Sequence, residues 1–133
     1  MTREIKFRGK RVTDNTWIYG YYYCIGRDGN QKHYILPEYE VAPYGREVIP
    51  ETVGQYMEKH DYNKQKIYEG DICRLVWSRN TVVTAQISFE CGSFWFQGLD
   101  LNVCDCNWHF YPRRNIEVIG NIHDNPELLK EST

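Results

Sequence analysis

No stretch of the 133 residues approaches the roughly 18 consecutive apolar positions of a membrane-spanning helix, which excludes a helical membrane protein. Met1-Thr2-Arg3-Glu4 opens onto no apolar run, so a secretory signal is not expected. The motifs G-x-S-x-G, H-E-x-x-H and G-x-x-x-x-G-K-[ST] are all missing, which leaves an enzymatic reading without a nucleophile elbow, a zinc-protease helix or a phosphate loop. Neither sign of charge dominates: 16 Lys+Arg stand against 18 Asp+Glu, a formal net charge of −2, so the molecule as a whole is not an electrostatic nucleic-acid binder. The 5 cysteines are an odd number without a framework spacing, which suits free thiols in a reducing cytoplasm. No internal repeat or low-complexity segment occurs.

What the chain has in excess is rings. Its 11 Tyr, 5 Phe and 4 Trp make 15% of all residues, and aromatic side chains favour strands and broad packing surfaces. With 41% hydrophobic residues the composition suits a folded β domain with a genuine core. The default role of these rings is to pack that core.

Alternation locates the strands. Ile5 and Phe7 alternate with Lys6 and Arg8, predicting a strand whose outer face is positive. Trp17, Tyr19, Tyr21 and Tyr23 then occupy every second position, opposite Ile18, Tyr22 and Cys24. The turn-rich run Gly26 to Asn30 and the strand His33 to Leu36 complete a three-stranded meander. Prolines 37, 43 and 50 break the next segment, leaving room for a short strand near Glu47-Val48-Ile49 and one helical turn at Glu51-Thr52-Val53. Gly54 to Met57 reads as extended. Residues 58–66 form a polar connection, with Asn63 the candidate for a left-handed turn.

The second half repeats the pattern more regularly. Ile72, Arg74 and Val76 alternate with Cys73, Leu75 and Trp77, predicting a strand covered on much of both sides. Val83, Ala85, Ile87 and Phe89 form the apolar set of the next strand, and Cys91-Gly92-Ser93 turns the chain into Phe94-Trp95-Phe96. A last strand spans Ile116 to Asn121. Asn125-Pro126-Glu127 is a helix start, so a short C-terminal helix follows. The expected fold is mainly β, with compact antiparallel sheets. It combines an N-terminal meander, a small SH3-like, partly open barrel in the C-terminal half, and the short helix. It forms a single domain over 1–133, divisible into 1–50 and 51–133.

Three constellations invite a chemical reading. Cys104-Asp105-Cys106 with His109 is the nearest approach to a metal cluster, but zinc wants two ligand pairs and no second pair is present, so no metal is expected. Glu69-Gly70-Asp71 brings two carboxylates together before a strand; the simpler reading is a turn in which Gly70 takes a positive φ and Asp71 bonds local amides. The basic stripe of Lys6, Arg8 and Lys10 is suited to phosphate backbones, and nearby tyrosines to stacking on bases, but three phosphate contacts bind weakly. Its simpler reading is an edge strand protected by charge.

Taken together, Arg3-Glu4-Ile5-Lys6-Phe7-Arg8, Thr52-Val53-Gly54-Gln55-Tyr56, Ile67-Tyr68-Glu69-Gly70-Asp71-Ile72, Glu117-Val118-Ile119-Gly120-Asn121-Ile122 and Asn125-Pro126-Glu127-Leu128-Leu129 resemble the YopX-like proteins of phages and prophages of low-GC Gram-positive bacteria. The motifs run in the family's order along nearly the whole chain. Similar proteins continue Gly-Gln-Tyr with Thr-Gly-Leu and close the next turn with Asn-Gly; Met57-Glu58-Lys59 and Asn63-Lys64 stand here instead. The resemblance implies a small, mostly β phage-type protein of uncharacterised activity. It also marks Gly54, Gln55, Tyr56, Tyr68, Glu69, Gly70, Asp71, Gly120 and Asn121 as motif residues with a structural role, and it supplies no catalytic residue.

The expected function is a non-enzymatic interaction module that binds a protein partner, including a second copy of itself. The alternatives are weak nucleic-acid binding through Lys6, Arg8 and Lys10, or an enzyme acting on nucleic acid or a phosphorylated ligand. No cofactor and no membrane partner are expected.

Overall fold

The computed structural model describes residues 4–38, 44–78, 81–98 and 116–130. Cys104, Cys106 and His109 lie outside them. The fold is mainly β, in two antiparallel sheets. The strands are β1 (Phe7–Lys10), β2 (Trp17–Ile25), β3 (Lys32–Pro37), β4 (Arg46–Val48), β5 (Gly54–His60) and β6 (Lys66–Tyr68), followed by β7 (Asp71–Ser78), β8 (Thr81–Glu90), β9 (Ser93–Gly98) and β10 (Ile116–Asn121). A 3-10 turn spans Pro50–Thr52, and the short helix α1 (Glu127–Lys130) follows Asn125-Pro126 as expected. No described helix is long and apolar enough to cross a membrane.

One sheet has the order β4-β3-β2-β1-β5-β6 and the other β10-β7-β8-β9. The chain divides into two compact units, Met1–Tyr56 and Met57–Thr133, with the boundary inside β5. Glu58 takes a left-handed φ of 59° just after this boundary, which interrupts the regular pleat of β5.

In the first unit β1 to β4 form the expected meander, extended by one strand. β1 is not an edge. Gly54 and Gln55 return to pair with Arg8 and Phe7, so β1 lies between β2 and β5. The charges of this strand therefore do not protect an open ladder. Ile35 and Val48 are fully buried on one side of the sheet, and Gly9 packs so closely on Val48 that an added Cβ would meet it at 3.1 Å.

The second unit has its own core of Met57, Ile67, Cys73, Leu75, Ala85, Ile87, Phe96 and Ile116. No barrel closes among the described residues; β10, β7, β8 and β9 make an open sheet. β7 is buried at Ile72, Cys73 and Leu75, yet Arg74 and Val76 are exposed, contrary to the two-sided burial read from its apolar run. The reason is register. Arg74 pairs with Glu117 of β10, and their side chains meet in an ion pair at 2.7 Å on the open face. Between β8 and β9, Glu90 pairs with Ser93, and Cys91 (φ 53°) and Gly92 (φ 79°) form the loop. Positive φ at both positions is the geometry of a type I′ hairpin, whose twist matches the strands.

Candidate binding face

The registers of β1, β2 and β3 run without a slip from Phe7↔Gly20 to Lys10↔Trp17 and from Gly20↔Pro37 to Ile25↔Lys32. Because successive strand side chains alternate, Arg8 and Lys10 share one face with Trp17, Tyr19, Tyr21, Tyr23 and Ile25 and with Tyr34 and Leu36. The opposite face carries Ile18, Tyr22 and Cys24 with His33, Ile35 and Val48. The fully buried aliphatic residues Ile35 and Val48 lie on this second face, although Arg8 is buried on the first and Cys24 exposed on the second. The ring row expected to pack the core instead faces outward: Tyr21 is 51% exposed, Tyr23 38% and Ile25 61%. The aliphatic residues Ile35 and Val48, supplied by β3 and β4, decide which side is inward.

The three cations of the basic stripe are all engaged. Lys6 forms ion pairs with Glu38 and with Glu4, the latter at 2.6 Å. Its hydrogen bond to Glu38, and then that to Glu4, hold the ammonium charged far above the ordinary lysine range. Arg8 is buried, with its guanidinium 4.6 Å from the centre of the Trp17 ring. Lys10 reaches the same ring, its Nζ 5.5 Å from the centre, while its backbone N–H donates to Thr52 Oγ1 at 2.8 Å. Trp17 thus holds two cations by cation–π contact.

Two further features of this sheet meet at Tyr22. A cleft of about 510 Å3 is lined by Glu4, Ile5, Lys6 and Phe7 together with Tyr21 and Tyr22 of β2. On the inward face the Tyr22 hydroxyl and His33 Nδ1 are 2.6 Å apart, their rings stacked. Burial, then the neighbouring Cys24, pushes the Tyr22 phenol above its ordinary value of 10.0. Sequence reading carried no signal for this pair, which cross-strand register alone brings together.

The motif residues have local backbone duties. Gly54 is buried opposite Arg8, and the Tyr56 N–H donates to the Lys6 carbonyl at 2.8 Å. Gly70 has a φ of 93°, its N–H donates to the Ile87 carbonyl at 2.7 Å, and its own carbonyl accepts from Ile122 at 2.9 Å. Asp71 is buried with its Oδ2 accepting the Tyr68 N–H at 2.8 Å, whereas Glu69 is half-buried. At Gly120 an added Cβ would come within 2.6 Å of Asn125 Oδ1. The Asn121 Oδ1 accepts from the amides of His123 and Asp124, at 3.0 and 2.9 Å.

Sequence reading missed Asp61. It is 3% exposed, its Oδ1 accepts from the N–H groups of Asn63 and Gln65, and its Oδ2 accepts from the Val118 N–H, each at 2.8 Å. An Asp two residues before a turn was the available signal. Among the described residues no group of three or more His, Cys, Asp or Glu side chains is placed to hold a metal.

No curated protein matches the chain. Among solved structures it is similar to the crystal structure of protein EF1440 from Enterococcus faecalis, with a TM-score of 0.54 and 23% identity over 96% of this chain and 99% of that one. At that identity the likeness speaks for the fold. The family model described as YopX protein matches residues 6–130, nearly the whole chain, and on that match the chain belongs to the YopX family.

Proposed function

We propose that the chain is a non-enzymatic interaction module, of phage or prophage origin and acting in the cytoplasm of the bacterial host, that binds a protein partner through the outward row of β2. The observation that carries this reading is the exposure of Tyr21, Tyr23 and Ile25 at consecutive outward positions of one strand. Aromatic side chains are the usual anchors of protein interfaces, because they bury a large area with few rotamers to freeze. The Tyr23 ring is already fixed by stacking on Tyr34, with centroids 5.2 Å apart, so little freedom remains to be lost on binding.

Nucleic-acid binding has one observation in its favour, since rings and cations share the face. The cations are the weaker part of that surface: Lys6 carries two carboxylates and Arg8 is buried beside Trp17.

Affinity capture from phage-infected host cells tests the leading reading. The full chain should enrich a specific protein that a Tyr21→Ser/Tyr23→Ser variant loses at least about tenfold, the usual scale for interface anchors. A Tyr62→Ser control, altered at an exposed ring of the second unit, should retain it. Identical captures by wild type and double variant would remove the face from consideration.

A further inference from the structure

The face of the β2–β3 hairpin opposite the outward ring row brings together three groups that can carry a proton. Cys24 and His33 stand directly across the two strands from each other, and Tyr22 precedes Cys24 by two residues on the same face. The Tyr22 hydroxyl is 2.6 Å from His33 Nδ1, and their rings are stacked with centroids 5.8 Å apart. The Tyr22 phenol is held above its ordinary value first by burial, then by the charge and hydrogen bonding of Cys24, so the thiol acts directly on that hydroxyl. Tyr22 and His33 are half-buried, whereas Cys24 is a free thiol open to solvent.

Tyr22 thus stands between a nucleophile and a base. With the His33 proton on Nε2, Nδ1 accepts from the Tyr22 hydroxyl, and the phenol oxygen keeps a lone pair for the thiol proton. Moving the thiol proton to the phenol oxygen, and the phenol proton to Nδ1, creates a thiolate and an imidazolium with Tyr22 neutral between them. A phenol that resists ionisation suits this role, because it hands protons on without retaining the charge.

We propose that Cys24 is a modification site that takes up a thiol group from a small aliphatic disulfide, with Tyr22 and His33 relaying the proton. The Cys24 thiolate attacks one sulfur of the disulfide, and the new S–S bond forms as the old one breaks. The departing thiolate takes the Tyr22 proton while His33 returns its own to Tyr22. One protein thiol and one disulfide give one mixed disulfide and one small thiol, with no other oxidant required. Alkyl thiolates are poor leaving groups, so a proton donor at the point of departure helps them most. Tyr22 also lines the cleft of about 510 Å3, a volume typical of small-molecule sites. The proposal is independent of the protein-binding reading, which uses the other face of β2.

Cys91 provides a comparison within the same chain. It too is exposed, and residues 81–98 around it include neither tyrosine nor histidine. The test exposes the reduced full chain at neutral pH to hydroxyethyl disulfide and follows the adduct at each cysteine by peptide mass spectrometry. Cys24 should react at least about tenfold faster than Cys91, a modest share of what general acid–base catalysis supplies. Tyr22→Phe keeps a ring against Phe7 and removes only the relaying hydroxyl, and it should bring Cys24 down to the rate of Cys91. His33→Gln should do the same; if it fails to fold by circular dichroism, Tyr22→Phe decides. Dithiodipyridine separates a relay from altered packing, since its leaving group departs as a stable thione and needs no proton on sulfur. The loss caused by Tyr22→Phe should be at least about threefold larger with hydroxyethyl disulfide than with dithiodipyridine. Cys24 reacting no faster than Cys91 overturns the site, and equal losses with the two reagents overturn the relay.

Discussion

Asp61 shows how much a single buried carboxylate can organise. Its two oxygens satisfy three backbone donors, two within its own turn and one on β10, so it ties a local turn to a strand far along the sequence. Removing it leaves three amides short of an acceptor in a site that is 3% exposed. Charge-assisted bonds to backbone amides are among the stronger protein hydrogen bonds, and orphaned buried donors are expensive. Asp61→Ala should therefore lower the unfolding free energy by about 2–4 kcal/mol, with Asp61→Asn intermediate, as read from urea denaturation midpoints. Asp14 is the contrast. Its carboxyl is held below the ordinary range by the Thr16 hydroxyl and then the Thr16 amide, in the open, where solvent competes for every bond.

At the scale of elements, the turn Asp61 to Gln65 is tight although it carries no glycine. Where similar proteins close with Asn-Gly, the chain has Asn63-Lys64, and it is Lys64, not Asn63, that adopts the left-handed conformation, with φ 64°. The Lys64 N–H returns to the Asp61 carbonyl at 3.1 Å, so the tight turn is intact. A side chain with a Cβ is strained there, and Lys64→Gly should raise stability by about 0.5–1 kcal/mol in the same denaturation measurement. Strands of this kind were legible because period-two alternation and turn residues are local signals: β2, β3, β7, β8 and β10 all fall where the pattern placed them. The central position of β1 was not legible, because it depends on Gly54 and Gln55 coming back to pair with Arg8 and Phe7. The outward direction of the ring row was hidden for a related reason. Both faces of β2 carry rings or apolar groups, and only Ile35 and Val48, brought in by other strands, break the tie.

At the scale of the molecule, composition and geometry bear on the same question, whether this chain recognises a phosphate backbone. The formal net charge of −2 provides no long-range attraction, and the local basic run was the one feature that argued otherwise. That run is spent internally. Lys6 is held between Glu4 and Glu38, and Arg8 and Lys10 lie against Trp17, so releasing them to phosphates would first break ion pairs and cation–π contacts already formed. Phosphate binding announces itself through counterion release, with a log–log salt slope of about −0.7 per contact for single strands. Three free cations would thus give a slope of about −2. The structure predicts a far shallower one. A labelled single strand titrated with the full chain between about 20 and 200 mM salt should show weak binding whose affinity barely changes, and Lys6→Glu/Lys10→Glu should bind like wild type. A slope near −2 that the double variant abolishes would mean that the carboxylates release Lys6 on contact with the strand, and it would replace the proposed protein-binding role of this face with nucleic-acid binding.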